Sequence, residues 1–313
     1  MVQNLHAIQK SFPWATTMKT IHQFLPALAL GLSMASVHAA PVPTSIPNTA
    51  TCTLDSVAIT GMTSSKTGAQ VLPANTTVNS TKCFGVISGN DATNGTNSPS
   101  PNLGYLGDGL LNGGYMKDGY YVDPGFFLVD GSTYQPLKDP NLAVDPGWIM
   151  LGKMEGGSGT MDGYKVTNGA NVLDIDDVLT FTMNANGTWS LQTKADIVDI
   201  LDAAGMFDRS YFDQLAFVFK AGSGAQDKDG GWAIYDINFN TLLKQMPGAF
   251  DLKQPYSFTG TWNTDDFGGK EISHMSLWAR DPLNTTSNVP LPGSVLLMGI
   301  GLLALGFVRR KAH

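Results

Sequence analysis

Ten short segments rich in β-branched and aromatic residues recur between clusters of Gly, Asn and Asp, and no other pattern constrains the fold as strongly. They are 54–60, 83–88, 126–130, 147–154, 179–183, 187–193, 214–221, 232–239, 256–262 and 272–279. Runs of this length bounded by turn formers read as β-strands. Asn186-Gly187 stands between two of them as a strong hairpin signal. One stretch breaks the pattern: 195–204 carries apolar residues at 197, 198, 200 and 201 and stops at Gly205, which predicts one short helix. Of the 26 acidic residues all but Glu155 and Glu271 are Asp, a residue that prefers caps and turns to helix interiors. The spacing predicts an all-β domain over 51–280, a β-sandwich or jelly-roll-like fold, long enough to bury a core. Pro-, Thr- and Asn-rich linkers flank it at 40–50 and 281–288.

Both ends of the chain read as targeting segments rather than as parts of that domain. An apolar run at 25–35 follows Met18-Lys19 and leads to Val37 and Ala39, small residues at the two positions that signal peptidase reads. This predicts a signal peptide over 1–39, with Met18 as an alternative start. The run is too short to span a bilayer, which takes about 20 residues; a buried core helix is the competing reading. At the other end, 289–308 carries no charge and is long enough to cross about 30 Å of hydrocarbon as a transmembrane helix. Arg309, Arg310 and Lys311 follow at once, and such cations stay on the cytoplasmic side. The domain is therefore expected to be exported.

The C-terminal layout is a Pro-containing tag (Val289, Pro290, Leu291, Pro292, Gly293), an apolar helix over 294–308, and the basic cluster 309–311. It resembles the PEP-CTERM sorting signal of Gram-negative, exopolysaccharide-making bacteria, with Leu291 where Glu is commonest. The resemblance implies recognition by an exosortase, a membrane-embedded cysteine transpeptidase-like enzyme that cuts near the tag. It further implies a transient inner-membrane anchor, then release to the cell surface or extracellular space. An ordinary single-span anchor is the alternative. The segments 220–222 and 259–262 are similar to ones in other exported domains that bear this tag.

Within 40–288 the chain carries 14 cations and 26 acids, a net charge of −12, which excludes nucleic acid as a partner because a phosphate backbone needs a basic face. Cys52 and Cys83 are the only cysteines. In an oxidising compartment they are expected to pair, and closing a loop of about 30 residues stabilises by roughly 3–4 kcal/mol.

Candidate chemistry is sparse. His274 is the one histidine of the exported part, so a His-rich zinc site is excluded, and no nucleophile-elbow motif accompanies it. Neither a Walker nor a Rossmann phosphate loop is present. No cofactor is expected; calcium is the metal that the Asp clusters would suit, with Asp174, Asp176, Asp177, Asp227 and Asp229 as candidate ligands. Solvated turns are the plainer account of those clusters. The stretch 89–125 is a long Gly/Asn/Asp-rich loop region with interspersed tyrosines. It reads either as a recognition surface or as the cover over one end of a sandwich. Tyr115, Tyr120 and Tyr121, with Trp232, are candidate glycan-stacking residues, although strand aromatics usually pack in a core.

These readings converge on a non-catalytic exported protein, with signal peptidase and an exosortase as its processing partners and exopolysaccharide or biofilm matrix as its surroundings. The alternative is a secreted glycan-active hydrolase, or a calcium-assisted carbohydrate-binding module. A hydrolase would need two carboxylates flanking a cleft.

Overall fold

The structure is a computed structural model, and it describes residues 52–91, 147–207, 211–222 and 230–282, shorter stretches between 103 and 127, and the pair 44–45. The expected signal peptide and the apolar C-terminal segment lie outside these residues.

Two six-stranded antiparallel sheets make up the domain. The first has the order β3 (Val78–Asn79), β2 (Val57–Ser64), β15 (Tyr256–Trp262), β12 (Thr188–Thr193), β11 (Leu179–Asn184), β7 (Gly159–Thr160). The second has the order β4 (Lys82–Ser88), β14 (Gly231–Asn238), β13 (Gln214–Ala221), β16 (Ile272–Asp281), β6 (Gly147–Glu155), β8 (Asp162–Gly163). Among the described residues two smaller pairings are also present: β1 (Thr44–Ser45) runs parallel to β5 (Tyr120–Tyr121), and β9 (Lys165–Asn168) pairs antiparallel with β10 (Asn171–Asp174).

Side-chain alternation packs the sheets face to face. On β13, Leu215, Phe217 and Phe219 point to the first sheet, where Phe217 meets Trp189 and Phe181 at ring separations of 5.1 and 5.8 Å. The opposite face of β13 is buried as well, through Ala216 and Val218. Leu110, Leu111, Met116, Val122 and Phe127 lie over that outer face, packed with Phe84, Trp148, Met150, Trp232 and Trp278. Asn112 secures this cover like a strand residue: its Nδ2 donates to Trp148 O (2.6 Å) and its Oδ1 accepts from Trp148 N (2.8 Å). Burial on both faces explains why 214–219 is an unbroken apolar run after Gln214 rather than an alternating one.

The described part of the long loop region thus covers a sheet face, through Leu110, Leu111, Met116 and Val122. Trp232, expected as a stacking residue, is fully buried beneath it, which removes it from any binding surface. Strand β2 starts at Val57, because Leu54–Ser56 form a 3-10 turn; Gly125 to Phe127 form a turn where a strand was expected. Two α-helices are present among the described residues instead of one. The expected helix is α1 (Ile197–Ala204), ended by Gly205 at φ 57°. The second, α2 (Phe239–Gln245), begins where Asn238 Oδ1 accepts from Thr241 N at 3.0 Å, an N-cap at the end of β14. Cys52 and Cys83 are bonded with a Cα separation of 6.1 Å, which ties the segment entering the first sheet to an edge strand of the second.

Candidate functional site

At one end of the sandwich the β6–β7, β11–β12 and β15–β16 connections surround a cleft of about 570 Å³. Trp262, the last residue of β15, forms part of its wall. Its ring packs edge-on against Phe219 at 5.8 Å, and its Nε1 donates to Thr188 O at 3.2 Å. Across from it, Gly157 brings bare backbone to the ring: a β-carbon there would lie 3.4 Å from Trp262 Cη2.

The residues after Trp262 form a tight, self-bonded loop. Asn263 N donates to Ser56 O (3.0 Å), and Asn263 Oδ1 accepts from Asp265 N (3.0 Å). Thr264 O accepts from both Phe267 N and Gly269 N, each at 2.9 Å. Adjacent aspartates then take different parts. Asp266 turns inward and accepts from Tyr235 OH (2.8 Å), Ser56 Oγ (2.7 Å) and Thr53 N (3.0 Å). Burial, and next the bond to Asp266, push the Tyr235 phenol well above its ordinary range. Asp265 is exposed and lines the cleft with Ser158, Asn263, Lys270 and Glu271.

The opposite end holds a smaller, apolar cavity of about 90 Å³, walled by Leu179, Leu191, Leu201, Leu215 and Phe258. Polar groups cluster elsewhere on the second sheet. His274 Nε2 pairs with Asp91 Oδ1 at 2.8 Å, an ion pair when the ring is protonated. Ser276, two residues on, accepts from Trp278 Nε1 at 3.0 Å. At the other end of the same sheet, Arg280 bonds Asp213 through Nε (2.9 Å) and Nη2 (2.5 Å), in a buried fork. Asp236 lies alongside, wholly buried. Its Oδ2 accepts from Thr81 Oγ1 (2.9 Å) and Gln214 Nε2 (3.3 Å), while its Oδ1 has no partner among the described residues. Burial pushes its carboxyl up to about 8, against the opposing pull of Thr81 and Arg280.

The candidate calcium ligands divide. Asp174 caps the 3-10 turn Ile175–Asp177 by accepting from Asp176 N (3.3 Å) and pairs with Lys165 Nζ (3.3 Å). Asp176 Oδ1 accepts from Gly163 N (3.0 Å), and Asp177 is exposed. Asp174 is thus engaged by a turn and a lysine and Asp176 by a strand amide, and among the described residues no three His, Cys, Asp or Glu side chains converge to hold a metal ion. Asp227, Asp229 and Tyr115 lie outside the described residues. Tyr120 is 43% exposed on β5, with Tyr121 half-buried beside it.

The cleft residues Asn263, Asp265 and Glu271 and the partners Asp91 and Asp266 went unmarked in the sequence. The signal for Asn263, Asp265 and Asp266 was the turn-rich run at 263–269 between two strands, since Asn, Asp and Gly gather where a chain reverses; no sequence signal marked Asp91 or Glu271.

No helix among the described residues is long and apolar enough to cross a membrane, and 294–308 lies outside them, as do Val37, Ala39, Val289, Pro290, Leu291, Pro292, Gly293, Arg309, Arg310 and Lys311. No curated protein and no solved structure matches the chain. Residues 288–311 do match the PEP-CTERM protein-sorting motif. The chain ends in a PEP-CTERM sorting motif, which marks it as an exported protein sorted by an exosortase.

Proposed function

We propose that this is a non-catalytic cell-surface or extracellular protein whose β-sandwich is delivered into an exopolysaccharide or biofilm matrix once an exosortase has removed the C-terminal helix. The sorting motif at 288–311, placed directly after a disulfide-tied two-sheet domain, carries this reading. The commitment of polar side chains to internal bonds supports the non-catalytic part: His274 to Asp91, Asp213 to Arg280, and Asp266 to three neighbours. The proposal requires no cofactor.

The test is fractionation of producing cells with and without the exosortase. The expected result is a shorter product in the matrix fraction of normal cells and a full-length, membrane-retained chain in the deficient ones. Equal mass and equal fraction in both would overturn the sorting account.

One observation favours a second reading, a glycan-active hydrolase: Asp265 and Glu271 line the same cleft as Trp262. Release of reducing ends from soluble glycans, lost in Asp265→Asn and in Glu271→Gln, would move the assignment there.

A further inference from the structure

Trp262 is anomalous among the tryptophans of the domain. Trp148, Trp189, Trp232 and Trp278 are 0 to 3% exposed, whereas Trp262 is only half-buried. A large apolar ring left partly in water forgoes burial that would stabilise the fold. Gly157, which faces the ring, has no side chain to cover it. The ring therefore forms an apolar wall at the mouth of a cleft whose rim is polar.

The rim has a definite chemistry. Asp265 and Glu271 offer carboxylate acceptors, Asn263 an amide donor, and Ser158 a hydroxyl that works both ways. With two carboxylates and one ammonium (Lys270), the cleft is unfavourable to phosphate or any other anion. Two carboxylates without further acidic or histidine ligands make a poor metal cage. An apolar ligand would strand the rim groups unpaired. The molecule that fits has one face of C–H bonds and an edge of hydroxyls that both donate and accept. The negative face of the indole attracts C–H groups, and the carboxylates and amide accept and donate to the edge. The volume of about 570 Å³ suits a small-molecule site, for which about 300–1,000 Å³ is typical. The loop that carries Asn263 and Asp265 is held in shape by its own turn bonds and by Asp266, so binding would not have to order it.

We propose that this cleft binds an uncharged sugar ring of a polysaccharide chain, with Trp262 under the ring and Asn263, Asp265 and Glu271 at its hydroxyls. The proposal rests on the matrix-associated reading above and gives it a contact point.

The experiment titrates the full chain in detergent with neutral hexaoses of β-1,4-linked glucose and of β-1,4-linked mannose, and with a polyuronate as the charged control. Calorimetry reads affinity, and acrylamide quenching of tryptophan emission reads the cover over Trp262. Expected are saturable binding of at least one neutral hexaose, reduced quenching on binding, and no response to the polyuronate. Trp262→Ala would abolish binding, but it also removes packing against Phe219. The exposed pair Asp265→Asn with Glu271→Gln is the decisive variant, expected to weaken binding by about tenfold or more with the melting temperature held. Shortening of the bound hexaose would support the site and give it a hydrolytic role. Absence of binding to either neutral hexaose, or undiminished affinity in the double variant, would overturn the proposal. The sorting reading would stand through such a failure, because fractionation of exosortase-deficient cells does not involve this cleft.

Discussion

Trp189 on β12 occupies the space beside its cross-strand partner Gly260 on β15: a β-carbon at residue 260 would come within 2.2 Å of Trp189 Cε2 and 2.1 Å of Ala58 O. The indole is fixed there by its Nε1 bond to Thr261 O (3.1 Å) and by Phe217 from the other sheet at 5.1 Å. A glycine in the middle of a strand weakens it, but here the missing side chain admits the largest ring of the inter-sheet core. Gly260→Ala is therefore expected to lower stability by about 1–3 kcal/mol, the usual scale of overpacking. Urea unfolding checks this, and a change near zero would show that Trp189 can move aside.

The Cys52–Cys83 bridge spans a sequence separation of 31. Replacing both cysteines by alanine is expected to cost about 2–4 kcal/mol. Comparison of unfolding midpoints checks it. Reduction of the wild-type chain should bring its midpoint down to that of the double variant.

Asp236 makes stability depend on pH. Its folded-state carboxyl is raised to about 8 from an ordinary value of 3.8, chiefly by burial. The folded chain therefore holds a proton that the unfolded chain has lost over that interval. The sign follows: stability is fully present below about pH 4, falls by up to about 1.4 kcal/mol per pH unit as pH rises, and levels off above about 8. Asp236→Asn cannot ionise and keeps an acceptor for Thr81 and Gln214. The variant is expected to gain on wild type steadily between pH 5 and 8, measured as the difference in unfolding free energy at each pH. A constant difference would sink this account.

Asp266 joins the 265–267 turn to Tyr235 in the core and to Thr53 and Ser56 ahead of β2. Asp266→Ala leaves the buried Tyr235 hydroxyl without its acceptor, and a loss of about 3 kcal/mol is expected for bonds to a charged group. Tyr235→Phe removes the donor as well as its need and should cost less. In a double-mutant cycle the two changes should be non-additive, since they act on one bond.

Much of this architecture was legible because it is decided locally. The hairpin at Asn186-Gly187 was one such feature: Gly187 takes φ 78° and Asn186 Oδ1 accepts from Thr188 N, interactions contained within a few residues. The 214–221 strand and the stop at Gly205 were others. The β14–α2 junction was harder to see, because Asn238 and Phe239 look like the end of a strand until the Asn caps a new turn. The cleft was legible only as a turn-rich run, since its wall and rim come from three connections far apart in the chain.

From its sequence alone the chain was determined to be a β-rich protein with paired cysteines and a C-terminal sorting tag. Each of these rests on short-range pattern: strand periodicity, a pair of thiols in an oxidising setting, and contiguous apolar and basic blocks. Only the tertiary structure decided which side of each strand meets which layer. Trp232 and Trp262 both belong to strands rich in aromatic residues, yet one is sealed in a cluster with Leu110, Leu111, Met116, Val122 and Phe127 and the other faces a cleft. The difference arises because β14 is buried on both faces by distant segments, whereas β15 ends at the rim of the sandwich opposite a glycine. Burial is a property of what packs against a residue, and a local pattern does not contain its partner.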